Sequence, residues 1–333
     1  MKILVTGVAG FIGAHQAKLF SELGHEVVGV DSFSDYYSVQ LKKLRVDSLL
    51  RPAGVEVKEL NLADRAAVSD FFIRNSFDQV IHLAAQAGVR LTTDMNYKYT
   101  ESNLIGFLNV FDSSKMTGVR NFLYASSSSV YGDSSSSPYS ESEISLRPNS
   151  RYGATKLANE IFARTSIQNS TMNSRGLRFF TVYGPWGRPD MVYFRVIANL
   201  LESSELTLYG DGTVKRDFTY IDDVTKLVSL LAEDINRKPA GFSDVVNLGG
   251  GKPESVEKLI QTCENILGTE LIKGTEPASP LDVFTTNSDS RYLQSITGFK
   301  PEISIEEGLN LVINWASRES VRPQLSGWVS SVL

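Results

Sequence analysis

Short apolar runs alternate with longer amphipathic segments along the first 180 residues of the chain. The apolar runs predict strands at about 2–6, 27–30, 55–59, 79–83, 122–126 and 176–180, and the amphipathic segments predict helices at about 11–23, 65–74, 96–116 and 151–170. Such alternation is typical of βαβ units, in which helices cover both faces of a parallel sheet. We therefore predict an α/β protein with a doubly wound parallel sheet, whose ligands bind beyond the carboxyl ends of the strands.

Glycines at 7, 10 and 13 follow the first predicted strand directly and open the first predicted helix. Such glycines let the turn tighten and the backbone approach a diphosphate, and the N-terminus of the helix favours negative charge. Asp31 ends the second predicted strand, where a carboxylate accepts hydrogen bonds from ribose hydroxyls and repels a 2′-phosphate. Strand, glycines, helix, strand and acid in this order predict a Rossmann-type domain that binds NAD rather than NADP.

The pattern changes after residue 180, where a loop rich in proline and glycine at 185–189 precedes shorter helices. A later apolar run, 244–248, could rejoin the first sheet. A length of 333 residues suggests about two domains. We predict an NAD-binding Rossmann domain at 1–180, rejoined by a strand near 244–248, and a smaller C-terminal α/β substrate domain at 181–333.

Composition and charge exclude several classes of protein. A net charge of −5 argues against a nucleic-acid-binding protein. The single cysteine, Cys263, excludes an intramolecular disulfide, and none of the 3 histidines pairs with acidic residues at metal-ligand spacing, so no metal site is predicted. No apolar run approaches the ~18 residues of a membrane span, and the first strand begins at residue 2, without room for a signal peptide. We expect a cytoplasmic protein.

Tyr152 and Lys156 lie at positions i and i+4 of a predicted helix. These positions share one helix face, so the ammonium of Lys156 can approach the phenol of Tyr152. A neighbouring cation favours phenolate, and lowering the pKa of a tyrosine from ~10 by ~3 units needs about 4 kcal/mol of differential stabilisation. We therefore predict that Tyr152 is a proton acceptor near pH 7 and that Lys156 activates it.

Four motifs together resemble the extended short-chain dehydrogenase/reductase superfamily, and the likeness to its nucleotide-sugar epimerases and dehydratases covers nearly the whole chain. The motifs are Gly7-x-x-Gly10-x-x-Gly13, His82-Leu83-Ala84-Ala85, Ser127 upstream of Tyr152-x-x-x-Lys156, and Arg216-Asp217-Phe218-Thr219-Tyr220. Within the superfamily, the blocks 125–132 and 178–191 are most similar to those of UDP-glucuronate 4-epimerases.

This resemblance implies a reaction at C4 of a UDP-sugar. Ser127, Tyr152 and Lys156 would form a catalytic triad, in which Tyr152 takes the proton of the 4-hydroxyl and Lys156 also holds the nicotinamide ribose. Hydride would pass to bound NAD, the 4-keto sugar would rotate, and hydride would return to its other face. The implied outcome is interconversion of UDP-glucuronate and UDP-galacturonate.

The resemblance also implies binding residues and a homodimer. For NAD the residues are Gly7, Gly10, Phe11, Ile12, Gly13, Asp31, Ser32, Asn61, Leu62, Leu83, Ala84, Ala85, Tyr152, Lys156 and Phe179. For the UDP-sugar they are Ser127, Ser128, Ser129, Thr181, Arg188, Tyr209, Arg216 and Asp282, of which Arg216 would bind the diphosphate and Tyr209 would pack on uracil. The helices at 96–116 and 151–170 are those that form the dimer interface in the superfamily.

Ser128 and Ser129 limit the reactions that the resemblance allows. The superfamily's 4,6-dehydratases carry an acidic pair at these positions, and its UDP-glucuronate decarboxylases usually keep a glutamate at the second. Serine hydroxyls cannot act as acid and base near neutral pH, so dehydration is disfavoured. With Thr181, the two serines could instead hold a C6 carboxylate away from the geometry that loses CO₂, or they could only cap the strand end.

Alternative functions remain open from sequence. Among enzymes, the second hypothesis is a 4-epimerase of a neutral UDP-hexose or UDP-N-acetylhexosamine, and the third is a UDP-glucuronate decarboxylase. A redox-inactive NAD-binding sensor on the same fold is the alternative without catalysis. Such sensors usually lack the pair formed by Tyr152 and Lys156, which is present here.

Overall fold

A computed structural model describes residues 1–88, 96–132, 137–168, 170–277 and 283–332. Its strands are β1 (Lys2–Thr6), β2 (Glu26–Asp31), β3 (Glu56–Glu59), β4 (Gln79–His82), β5 (Asn121–Ser127), β6 (Asn173–Phe179), β7 (Thr181–Tyr183), β8 (Leu206–Tyr209), β9 (Lys215–Tyr220), β10 (Ser243–Leu248), β11 (Pro253–Ser255) and β12 (Lys273–Glu276). The predicted strands of the first 180 residues are all present, with ends that differ by up to three residues.

Helices connect these strands. They are α1 (Phe11–Glu22), α2 (Val39–Arg45), α3 (Arg65–Arg74), α4 (Asn96–Tyr99), α5 (Gly106–Met116), α6 (Arg151–Ile167), α7 (Val192–Glu202), α8 (Ile221–Ile235), α9 (Val256–Leu267), α10 (Arg291–Thr297), α11 (Ile305–Ala316) and α12 (Leu325–Ser330). A π-helical segment, Thr100–Ile105, joins α4 to α5, so the long helix predicted there is continuous but locally widened. Helix α2 and the π-helical segment Val46–Leu50 after it are not among the predicted elements.

Seven parallel strands form the main sheet in the order β10-β6-β5-β4-β1-β2-β3. The strand order reverses between β1 and β4, which is where ligands bind in open parallel sheets. Apolar residues alternate between the two faces: Ile3 and Val5 pack in one buried cluster, and Leu4 packs in the other. The α/β class and the Rossmann-like sheet are therefore confirmed.

The chain returns to the main sheet after residue 242. Strand β10 pairs in parallel with β6, with Val246 opposite Leu177. The residues between these two strands contribute to two smaller sheets, β11-β9-β7 and β12-β8. The main sheet thus contains strands from both sides of residue 180, and the proposed division into two domains there stays a prediction. Within the described ranges, every helix is too short or too polar to cross a bilayer.

Candidate active site

One cavity of about 830 Å³ opens at the carboxyl ends of the main-sheet strands. It is lined by every residue predicted to bind NAD or the UDP-sugar except Asp282, which lies outside the described residues. The structure therefore brings residues 7–13, which follow β1, together with Tyr152 of α6 and Arg216 of β9 around one space.

The glycine turn fits a diphosphate. Gly7 has φ +70°, and a Cβ there would lie 2.7 Å from the backbone nitrogen of Ala84, so the turn packs directly on the segment after β4. A Cβ on Gly13 would collide with the carbonyl oxygen of Gly7. In the described part of the chain no side chain caps α1 at Gly10. The first N–H groups of a helix have no acceptor inside it, so this terminus offers donors and a positive dipole end to an anion.

Asp31 and Lys42 form the next part of the cavity wall. The carboxylate of Asp31 accepts hydrogen bonds from the backbone nitrogens of Ala9 (3.0 Å) and Phe33 (2.8 Å). Lys42, on α2, donates to the carbonyl (2.5 Å) and hydroxyl (2.9 Å) oxygens of Ser34. Burial lowers the pKa of Lys42 to about 8, although the nearby Asp31 carboxylate opposes this. Sequence analysis missed Lys42, because it belongs to the helix that was not predicted.

Tyr152 reaches the end of β5 because helix α6 packs closely there. The hydroxyl of Ser150 caps the helix by accepting a hydrogen bond from the nitrogen of Gly153 (3.1 Å). A Cβ on Gly153 would lie 2.5 Å from the carbonyl oxygen of Ser129, so only glycine allows this approach. Burial raises the pKa of Tyr152, and the charge of Arg188 and a hydrogen bond with Ser127 lower it by less.

Lys156 lies near Tyr152 and also contacts strand β5. Its ammonium donates to the carbonyl oxygen of Ala125 on β5 (2.8 Å) and lies 5.8 Å from the centre of the Tyr152 ring. Burial lowers the pKa of Lys156 to about 7. The charge of Arg188 also lowers the pKa of the Tyr152 phenol, against the larger effect of burial.

Arg188 is itself held by a carboxylate. Its guanidinium donates to both oxygens of Asp190 (3.0 and 2.5 Å), and Asp190 also accepts a hydrogen bond from the hydroxyl of Tyr36 (3.4 Å). Together the arginine charge and these hydrogen bonds outweigh burial and keep the pKa of Asp190 below its ordinary value. Tyr36 and Asp190 were not predicted, and the short spacing between Arg188 and Asp190 was the one signal available.

The serine turn after β5 lines the same cavity. The hydroxyl of Ser127 accepts from the nitrogen of Ser129 (3.1 Å) and donates to its hydroxyl (3.2 Å), which caps a short 3₁₀ turn. Ser128, Ser129 and Thr181 all line the cavity. Among the described residues of its wall, the only carboxylates are Asp31 and Asp190, and both are engaged elsewhere.

A buried ion pair lies between α6 and β6. Arg178 of β6 donates to both oxygens of Glu160 (2.9 and 2.7 Å), one helical turn beyond Lys156 on α6. Glu160 also accepts from the hydroxyl of Ser126 (2.5 Å), the neighbour of Ser127. Glu160 therefore links α6 to strands β5 and β6. Sequence analysis missed this ion pair, because its members are brought together only by the fold.

The opposite wall comes from the second half of the chain. Arg216 donates to the carbonyl oxygen of Val283 (2.8 Å), and Tyr209 is 45% exposed at the cavity. Asp217, fully buried beside Arg216, accepts hydrogen bonds from the nitrogens of Gly250 (3.0 Å) and Gly251 (3.0 Å). This carboxylate fixes strand β9 against the loop after β10.

Comparison with known proteins identifies the family. The model of the NAD dependent epimerase/dehydratase family matches residues 3–249. The chain belongs to this family. It is 38% identical over 321 residues to the UDP-glucuronate 4-epimerase of Thermodesulfobacterium geofontis, with 96% of each chain covered.

Solved structures of other family enzymes superpose over most of the chain. A UDP-glucuronic acid 4-epimerase from Bacillus cereus, in complex with UDP-glucuronic acid and NAD, is 33% identical with a TM-score of 0.87, covering 95% of this chain and 98% of that one. A UDP-glucose 4-epimerase from Thermotoga maritima, with UDP-glucose, is 28% identical with a TM-score of 0.83, covering 95% and 98%. The protein is an NAD-dependent enzyme of the nucleotide-sugar epimerase/dehydratase group.

Proposed function

We propose that the enzyme is a UDP-glucuronate 4-epimerase, which interconverts UDP-glucuronate and UDP-galacturonate through a 4-keto sugar. The observation that carries this proposal is the serine turn, where Ser128 and Ser129 face the cavity together with Thr181. Three hydroxyls can donate to a carboxylate at C6 of the sugar. The likeness to UDP-glucuronate 4-epimerases from two organisms supports the same substrate.

Proton transfer at C4 is assigned to Tyr152 and Ser127. Tyr152 takes the proton of the 4-hydroxyl as C4 is oxidised and returns it when C4 is reduced. Burial raises the pKa of the phenol, and the charge of Arg188 and the hydrogen bond with Ser127 offset part of that rise, which favours the proton-accepting form. NAD, when bound, accepts the hydride from C4 and gives it back, so the reaction has no net redox change.

Residues from both ends of the cavity would hold the ligands. The glycine turn and the start of α1 fit the diphosphate of NAD, and Asp31 fits its ribose hydroxyls. Lys156, which donates to the carbonyl of Ala125, would also donate to the nicotinamide ribose. Arg216 and Tyr209 would hold the diphosphate and uracil of the substrate.

The serines would also decide the fate of the intermediate. A 4-keto uronate is a β-keto acid, which loses CO₂ when its carboxylate stands perpendicular to the carbonyl plane. We assign to Ser128, Ser129 and Thr181 the role of holding the carboxylate out of that geometry. Both described carboxylates of the cavity wall are engaged, so no acid there is available to expel a sugar hydroxyl.

Replacing both serines with alanine tests this role. The double variant Ser128→Ala/Ser129→Ala, incubated with UDP-glucuronate, should form UDP-pentose in addition to UDP-galacturonate. The variant Ser142→Ala is a matched control, because Ser142 is exposed and bonds only to Ser140 in the described structure. A double variant with the wild-type product and rate would refute the proposed role.

We also propose a homodimer, because the superfamily that the chain resembles forms dimers and because apolar side chains are exposed on the corresponding helices. The helices α5 and α6, with the π-helical segment between α4 and α5, expose Ile105, Met116, Ile161 and Phe162, which are between 38% and 80% accessible. Apolar side chains grouped on neighbouring helices are typical of an interface between proteins. Light scattering of the purified protein should give the mass of two chains, and a monomer at micromolar concentration would contradict this.

A further inference from the structure

Arg45 is a completely buried cation that forms no ion pair with any of the residues the structure describes. It ends α2 and lies outside the cavity wall, with 0% of its surface exposed. Its guanidinium makes four hydrogen bonds, to the carbonyl oxygens of Ala9 (3.0 Å), Trp186 (2.8 Å) and Gly187 (2.9 Å) and to the hydroxyl of Tyr37 (2.7 Å). Within the described ranges no carboxylate forms an ion pair with it.

These partners belong to the two halves of the active site. Ala9 lies in the glycine turn between Gly7 and Gly10, and its nitrogen bonds to Asp31. Trp186 and Gly187 lie directly before Arg188, whose charge acts on Tyr152. A single rigid fork of donors therefore joins the turn assigned to NAD to the segment assigned to the sugar.

The substrate-side segment depends on this support. Trp186 has φ +61°, a left-handed conformation that is unfavourable for a non-glycine residue. Its carbonyl is held by Arg45 and its ring packs on Trp315, with ring centres 5.2 Å apart. The next residue must be glycine, because a Cβ on Gly187 would collide with the hydroxyl of Tyr193. The turn is thus fixed from both sides.

The buried charge also needs compensation. An ion without a counter-charge is costly in the protein interior, and carbonyl dipoles offset only part of that cost. Arg45 donates to the carbonyl oxygen of Ala9 in the glycine turn. The next residue, Gly10, lines the cavity at the start of α1, where no side chain of the described residues caps the helix. An anion bound at this turn would lie near the guanidinium and would complete its electrostatic balance.

We propose that Arg45 is a positioning residue that couples NAD binding to substrate binding. The diphosphate of NAD stabilises the Arg45 charge beside the glycine turn, and the same guanidinium holds the Trp186–Gly187 turn in the form that presents Arg188. Binding on one side therefore strengthens binding on the other. This inference rests on the proposed function, which assigns the segment around Arg188 to substrate binding.

The release of NAD from the loaded protein tests this coupling. Full-length protein saturated with NAD is diluted, and released NAD is counted by alcohol dehydrogenase and ethanol, with and without UDP as the probe of the substrate site. In the wild type UDP should slow NAD release by about fivefold or more, within the usual range of coupling between sites. In Arg45→Met release without UDP should be about tenfold faster, and UDP should change it less than twofold.

Two further variants make the result decisive. Arg51→Met is the matched control, because Arg51 is exposed and pairs only with Asp47 among the described residues; it should behave as the wild type. Arg45→Lys keeps the charge but not the fork of donors, and should retain the slow release without UDP and lose most of the UDP effect. If Arg45→Met does not fold, Arg45→Lys decides alone.

The outcomes separate the coupling from the proposed function. UDP binding that slows NAD release equally in the wild type and in the Arg45 variants would overturn the coupling and leave the proposed function intact. A wild type that binds no UDP in calorimetry would refute the substrate site and the coupling together. The coupling is supported if Arg45→Met releases NAD faster and shows no effect of UDP on that release, while Arg51→Met behaves as the wild type.

Discussion

Replacing Lys156 with methionine should abolish activity and yet make the protein more stable. The ammonium is buried and donates a hydrogen bond to the carbonyl oxygen of Ala125 at 2.8 Å. Burial lowers the pKa of Lys156 from 10.5 to about 7. A methionine side chain has a similar length and needs no hydration, so the variant avoids the cost of burying an amine.

The size of the gain follows from the lowered pKa. At 1.36 kcal/mol per pKa unit, a fall from 10.5 to about 7 corresponds to about 5 kcal/mol at pH 7. Loss of the hydrogen bond to Ala125, worth about 1.5–3 kcal/mol, opposes this gain. We therefore expect Lys156→Met to be about 2–3 kcal/mol more stable than the wild type at pH 7, a change of several degrees in Tm.

The pH dependence has a definite sign. Between pH 7 and 10.5 the unfolded chain keeps a proton on Lys156 that the folded chain has lost, so the wild type gains stability as the pH rises. The contribution is about 1.4 kcal/mol per pH unit. The advantage of Lys156→Met should thus be largest at pH 7 and below, shrink steadily above pH 7, vanish near pH ~9, and reverse at higher pH, where only the lost hydrogen bond to Ala125 remains.

Thermal unfolding of nucleotide-free protein at several pH values provides the assay. The difference in Tm between Lys156→Met and the wild type is measured from pH 6.5 to 10, with Lys18→Met as a control for loss of an exposed lysine that pairs with Glu22. A Lys156→Met variant that is less stable than the wild type at pH 7, or a difference that does not change with pH, would refute the reasoning.

Two predictions concern the proton acceptor. Tyr152→Phe should keep its fold, checked by circular dichroism, and lose about 10³-fold or more in kcat, because the phenol is the group that transfers the proton; substantial residual activity would argue against that role. Arg188→Met should shift the acid limb of the plot of kcat against pH to higher pH, because Arg188 lowers the pKa of Tyr152. An unchanged pH profile would show that the arginine does not set this pKa.

Local chemistry explains what could be predicted from sequence. The glycine turn and Asp31 were predictable because tight turns and helix starts depend on a few neighbouring residues. Spacing also placed Tyr152 and Lys156 on one helix. It could not show that the carbonyl of Ala125, on a strand distant in sequence, would accept a hydrogen bond from the ammonium, and the activation of the phenol by Lys156 stays a prediction.

Contacts between distant segments explain what sequence analysis missed. Glu160 and Arg178 meet because α6 crosses β6, and neither residue lies in a motif that indicates pairing. Arg45 was missed together with α2, whose start is marked by Ser38 as a capping residue. Its partners Ala9 and Trp186 are far apart in sequence, so only the folded chain shows that Arg45 joins them.

The most direct test is incubation of the purified enzyme with UDP-glucuronate, without added NAD, followed by chromatographic separation of the products. The account predicts UDP-galacturonate as the product, formed without net change in NAD. UDP-xylose would contradict the proposed role of Ser128 and Ser129 and indicate a decarboxylase. No reaction with UDP-glucuronate, together with turnover of a neutral UDP-hexose, would contradict the proposed substrate.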